Sequence, residues 1–148
     1  RSGMYDQKKM EEAFFKALKH ALPNDYEYII VADRGFGHER IIRVLEKLNF
    51  KYVLRLNDNL NVRKNKRIIN LKNLPKRNRK MLEIEVPSWD LTLNIFKHVK
   101  NDKHWILATN IDNKSSHKIA QIYERGFSIE KMFKKGWINK EQYDILSV

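Results

Sequence analysis

The chain has 148 residues, with 30 Lys and Arg against 18 Asp and Glu, a formal net charge of +12 and a pI near 9.9. A hydrophobic content of 42% excludes disorder by composition and is enough for one domain with a proper core, while the absence of Cys excludes disulfides and thiolate metal sites. No apolar run approaches a membrane span and no signal-peptide pattern opens the chain, so the expectation is a soluble, cytoplasmic protein whose partner is a polyanion, most often nucleic acid.

The chain opens Arg1-Ser2-Gly3 rather than with Met and enters helix-like sequence at once, which reads as a fragment. From residue 6 to 21, Met10, Ala13, Phe14, Ala17, Leu18 and Ala21 recur at helical spacing, and Pro23-Asn24-Asp25 ends the helix. A strand-like run follows, Tyr28-Ile29-Ile30-Val31-Ala32, and Asp33 stands at its end before the turn Arg34-Gly35-Phe36-Gly37. Carboxyl ends of strands in open α/β sheets face the ligand crevice, so Asp33 is either ordinary turn punctuation or a carboxylate placed to hold a metal. Residues 38–49 return to helical spacing through Ile41, Ile42, Val44, Leu45 and Leu48, and Tyr52-Val53-Leu54-Arg55-Leu56 is a second strand. The unit is strand, helix, strand, which predicts two parallel strands.

The middle third changes character. Residues 63–80 hold Arg63, Lys64, Lys66, Arg67, Lys72, Lys76, Arg77, Arg79 and Lys80 and no acid, a stretch that either contacts phosphates or is a solvated loop. Around it, Leu82, Ile84 and Val86 alternate with acids, Leu91, Leu93 and Ile95 alternate with polar residues, and Trp105-Ile106-Leu107-Ala108 is a shorter buried strand, so a β-rich insertion or meander is predicted at about 58–103. Pro75 and Pro87 mark turns, and no internal repeat is present.

Residues 115–135 read as one amphipathic helix capped by Ser115 or Ser116. At about 100° per residue, Ile119, Ile122, Tyr123, Gly126 and Phe133 share a stripe, and Glu130 lies within it. A carboxylate aimed at a core needs compensation, so Glu130 is expected to meet either a basic side chain or a metal. Other residues carry less. Gly35-x-Gly37 lacks the third glycine of a dinucleotide fingerprint, the five His form no pair at metal spacing, and Trp89, Trp105 and Trp137 read as packing residues rather than base-stacking platforms.

Val31-Ala32-Asp33-Arg34-Gly35-Phe36-Gly37, the later Trp105-Ile106-Leu107-Ala108-Thr109-Asn110, and Tyr123 with Glu130 and Phe133 resemble the DDE transposases of bacterial and archaeal insertion sequences, in the branch marked by a Tyr-Arg-Glu-Lys signature. The resemblance runs from the first helix to about Phe133. It implies an α/β fold, a ribonuclease-H-like mixed sheet with flanking helices and a β-rich insertion, and makes residues 1–148 a partial catalytic domain. It further implies an enzyme of metal-dependent DNA strand cleavage and strand transfer, with two Mg2+ (or Mn2+) ions bound by two Asp and one Glu, of which Asp33 matches the second Asp and Glu130 the Glu. The implied partners are transposon ends and target DNA, with no membrane, and a homodimer in the DNA complex is allowed. Arg34, Tyr123, Arg125 and Lys134 join the basic stretch (Arg63, Lys64, Lys66, Arg67, Lys76, Arg77, Arg79 and Lys80) as expected DNA contacts.

The signature departs in three places. The family's first Asp lies on a strand before the opening helix, and Asp6, at a helix start, is no counterpart; its Arg, three residues after Tyr, falls on Gly126; its Lys, seven after Glu, falls on Trp137. The site is therefore expected to be incomplete in these residues. The rival expectations are a noncatalytic basic nucleic-acid-binding remnant and a component of a ribonucleoprotein.

Overall fold

The computed structural model describes residues 2–23, 27–74, 82–126 and 143–147. Helix α1 (Ser2–Ala21) buries Phe15 completely and packs Leu18 against the core, while Met10 and Phe14 stay exposed. Strand β1 (Glu27–Ala32) is buried without interruption from Tyr28 to Ala32, as befits a strand covered on both faces. Helix α2 (Glu39–Lys47) turns Ile41, Ile42, Val44 and Leu45 inward, and an Arg40 to Glu11 ion pair at 3.1 Å ties it to α1. Strand β2 (Lys51–Arg55) then runs parallel to β1, with Val31 opposite Val53 and Ala32 opposite Leu54. The predicted strand, helix and parallel strand are all present.

The meander is longer than the periodicity predicted. Strands β3 (Asn61–Lys64) and β4 (Arg67–Asn70) form a hairpin from the first part of the basic stretch, closed by Asn65 and Lys66 at φ 52° and 68°. Both turn residues lie in the left-handed region required by a two-residue hairpin turn whose twist matches that of its strands. Strands β5 (Leu82–Val86), β6 (Leu91–Lys100) and β7 (Lys103–Thr109) follow as antiparallel neighbours. β7 lies antiparallel to β2, and β8 (Tyr143–Ser147) lies parallel to β1. No strand was expected at β8, because its pairing partner is at the far end of the chain and five residues carry little periodicity. Among the described residues the result is one eight-stranded mixed sheet, ordered β4-β3-β5-β6-β7-β2-β1-β8. It is the α/β sheet with flanking helices that the sequence led us to expect, compatible with a ribonuclease-H-like fold.

Side chains on a strand alternate between faces, and the two core clusters follow that rule. One face carries Ile30, Ala32, Leu54, Ile95 and Ala108 with α1 and α2 residues, and the other carries Ile29, Val31, Val53, Phe96 and Leu107. Helix α3 (Ser116–Gly126) covers the second face with Ile119, Ala120, Ile122 and Tyr123. Ser115 caps it: its Oγ accepts from the Lys118 N–H at 3.2 Å and its carbonyl from the Ile119 N–H at 3.0 Å.

Thr109 and Asn110 close the end of β7. The Asn110 side chain accepts from the Tyr52 N–H and donates to the Phe50 carbonyl, both at 2.9 Å, while the Thr109 hydroxyl donates to the Tyr52 carbonyl at 2.7 Å. Asn110 thus substitutes for a strand residue where β7 leaves the sheet.

Candidate functional site

Asp33 sits where β1 ends, exposed at the rim of the sheet. The turn after it is built around its carboxylate: Oδ1 accepts from the Gly35 N–H at 3.0 Å, and the Asp33 carbonyl accepts from the Phe36 N–H at 3.0 Å. Gly37 is required there, since a Cβ at that position would overlap the Arg55 carbonyl oxygen. Gly37 therefore serves a close approach between the turn and β2.

Alternation sends Asp33 to the face of Ile29 and Val31, and sends Arg55 to the face of Val53. Because Ala32 stands opposite Leu54 in a parallel pair, Asp33 and Arg55 are the next residues in line, side by side under α3. Tyr123 descends from α3 onto the same cleft, close enough to Arg55 for the guanidinium charge to act on its hydroxyl. Burial pushes the Tyr123 hydroxyl up to about 12, with the Asp33 charge adding to the rise and Arg55 and Arg34 opposing it. Tyr123 is a neutral hydroxyl at ordinary pH, and the shift extends that state into strongly alkaline solution.

The β6–β7 hairpin forms the other wall. Residues 103–106 continue past the last β2 pair, Arg55 opposite Leu107, so the hairpin projects beyond the rim that holds Asp33. Its turn residues, Asn101 and Asp102, take φ 50° and 63°. Between the hairpin and α3 lies a cleft of about 940 Å³ lined by Asp33, Arg55, Lys100, Lys103, Trp105 and Tyr123, with His104 also on it. Trp105 is half-buried between His98, centroids 5.5 Å apart, and Tyr123, 5.3 Å apart, which supports its reading as a packing residue. Glu124 receives the Lys100 ammonium at 3.0 Å and lies 3.5 Å from the His98 ring. This group fastens α3 to the hairpin.

The expected site residues divide sharply. Asp33 and Tyr123 line the same cleft, and the Arg34 charge acts on the Tyr123 hydroxyl. Arg125 is exposed and does not line the cleft. Arg63, Lys64, Lys66 and Arg67 lie on β3, β4 and their turn, with β3 five strand positions from β1 in the sheet order, or about 24 Å at the usual strand spacing. Arg63 is also occupied by Glu85 at 2.8 Å. Glu130, Lys134, Lys76, Arg77, Arg79, Lys80, Phe133 and Trp137 lie outside the described residues. Among the described residues no group of three His, Asp or Glu side chains gathers as a metal site. Arg55, Lys100 and Lys103 were not anticipated. The sequence signal for Arg55 was a cation near the end of the second parallel strand, at about the level of Asp33 beyond the first.

The sequence matches the family described as "Transposase DDE domain" over residues 5–138. The chain belongs to that family. A search of curated proteins and one of solved structures each found no match. DNA and divalent metal ions are typical of the transposase DDE domain family, and Asp33 stands at the transposase rim with one carboxylate oxygen engaged by the Gly35 N–H. Among the described residues, no transposase helix is long and apolar enough to cross a membrane.

Proposed function

We propose that this transposase DDE domain acts in DNA strand cleavage and strand transfer for an insertion sequence of the Tyr-Arg-Glu-Lys branch, with Asp33 and Glu130 as two of its metal ligands. The observation that carries the reading is the convergence of Asp33, Arg55 and Tyr123 at one rim, beneath the helix whose continuation in sequence bears Glu130. Magnesium or manganese suits the carboxylate donors, and a bound pair of ions supplies activation of the attacking oxygen and stabilisation of the leaving one. The chain's own residues do the rest. Asp33 is presented by a turn that fixes its backbone, Tyr123 stays protonated beside Arg55, and the β6–β7 hairpin walls the cleft on one side.

Two carboxylates can hold an ion loosely, and the family's first Asp has no counterpart among these 148 residues. The reading is therefore of a partial site. Manganese titration followed by electron paramagnetic resonance tests it: Asp33→Ala and Glu130→Ala should each weaken binding by tenfold or more, and the double substitution should add little to either. Manganese affinity indifferent to Glu130→Ala would remove Glu130 from the site.

A further inference from the structure

We propose that Arg55 and Lys103 form a two-point clamp for neighbouring phosphates of one DNA backbone in the cleft beside Asp33; this rests on DNA being the substrate of the Asp33 site. The argument starts from charge. Among the described residues no carboxylate comes within ion-pair distance of Arg55 or Lys103, whereas Lys100, the third cation of the cleft, is taken by Glu124 at 3.0 Å. Arg55 is half-buried and shares the cleft with Tyr123, a neutral group that leaves the guanidinium charge intact. A partly desolvated guanidinium with no ion-paired carboxylate among the described residues is suited to an anion, and its planar fork matches two phosphate oxygens.

Position supplies the second step. Arg55 stands next to Asp33 across the β1–β2 pair, so a phosphodiester seated there places one oxygen toward the carboxylate side and another toward the guanidinium. Lys103 shares the face of Trp105 and Leu107 and lies at the outer end of β7, where it meets the same backbone as it leaves the rim. Position 126, where the signature carries Arg, cannot serve: a Cβ on Gly126 would overlap Val31. The cation reaches the site from β2 instead of from the helix.

Binding of a short duplex DNA, followed by fluorescence anisotropy across a salt series, tests the clamp. Arg55→Gln and Lys103→Gln should each reduce the slope of log affinity against log salt by about one, and Arg55→Lys should restore most of that loss. Since the chain has no Cys, Lys103→Cys gives a single attachment point for a photoactivated aryl azide, which should crosslink to the duplex. The exposed Lys103 variants also decide the matter if Arg55→Gln fails to fold. Unchanged slopes, or no crosslink from position 103 while the parent chain binds, would overturn the clamp and leave the metal-site reading intact. If the parent chain binds no DNA at all, both readings fall.

Discussion

Gly126 of α3 lies directly against Val31 of β1, so closely that no side chain fits between helix and strand. The contact sets the depth at which α3 rests on the sheet, and with it the reach of Tyr123 to Arg55. An Arg at this position would have to push the helix away from the strand that carries Asp33.

Gly126→Ala should therefore destabilise the protein by about 1–3 kcal/mol through overpacking. Gly126→Arg should be worse, and should not improve DNA binding or activity although it restores the signature residue. Urea unfolding of the parent and both variants checks this; a neutral Gly126→Arg would mean that α3 shifts without penalty.

Tyr123 gives a pH dependence whose sign follows from its raised hydroxyl. A group whose folded value, about 12, exceeds its unfolded value, roughly 10, contributes stability that is complete below pH 10 and is lost as pH rises through 12. The parent should therefore lose more stability than Tyr123→Phe over that window, with little difference in trend from pH 7 to 9. Thermal melts of both proteins across the range measure the difference. Parallel curves would separate Tyr123 from the titration.

Replacing Arg63, Lys64, Lys66 and Arg67 with Ala should flatten the salt dependence of duplex DNA binding, by about three rather than four in slope because Arg63 is already paired with Glu85. A salt titration that overlays the parent's would make the β3–β4 hairpin a solvated edge only. Glu85→Ala in the parent should then raise affinity slightly by freeing Arg63.

Asn110→Ala should cost about 1–3 kcal/mol, since it leaves the Tyr52 N–H and the Phe50 carbonyl without their partner. Hydrogen exchange at Tyr52 should accelerate before exchange in β6. Equal protection in both strands would show that water replaces the amide without loss.

On the proposed reading, in which Asp33 and Glu130 supply two of the metal ligands, the 148-residue chain by itself should neither cleave nor join DNA with magnesium or manganese, since the paired ions would lack a shared ligand. A longer chain that adds an Asp-bearing strand ahead of α1 should be the minimum requirement, and Asp33→Ala or Glu130→Ala should abolish its activity. Gel assays of strand cleavage check this directly. Metal-dependent cleavage by the 148-residue chain, lost with either substitution, would show that its site is complete.

The sequence by itself determined the local elements and their faces. Apolar spacing placed α1, α2 and the buried side of α3, the uninterrupted run before Asp33 marked β1, and Ser115 marked the start of α3, all because period and capping are written within a few neighbouring residues. What it could not specify was the match between distant segments. The meeting of Arg55 with Asp33 depends on parallel register, the burial of Lys97 on a bond from its ammonium to the Leu74 carbonyl at 2.7 Å, and β8 on a partner at the other end of the chain. The separation of the basic β3–β4 hairpin from the Asp33 rim likewise follows from strand order. Tertiary structure decided these because register and order are fixed by packing summed over the whole sheet, which no single stretch of sequence carries.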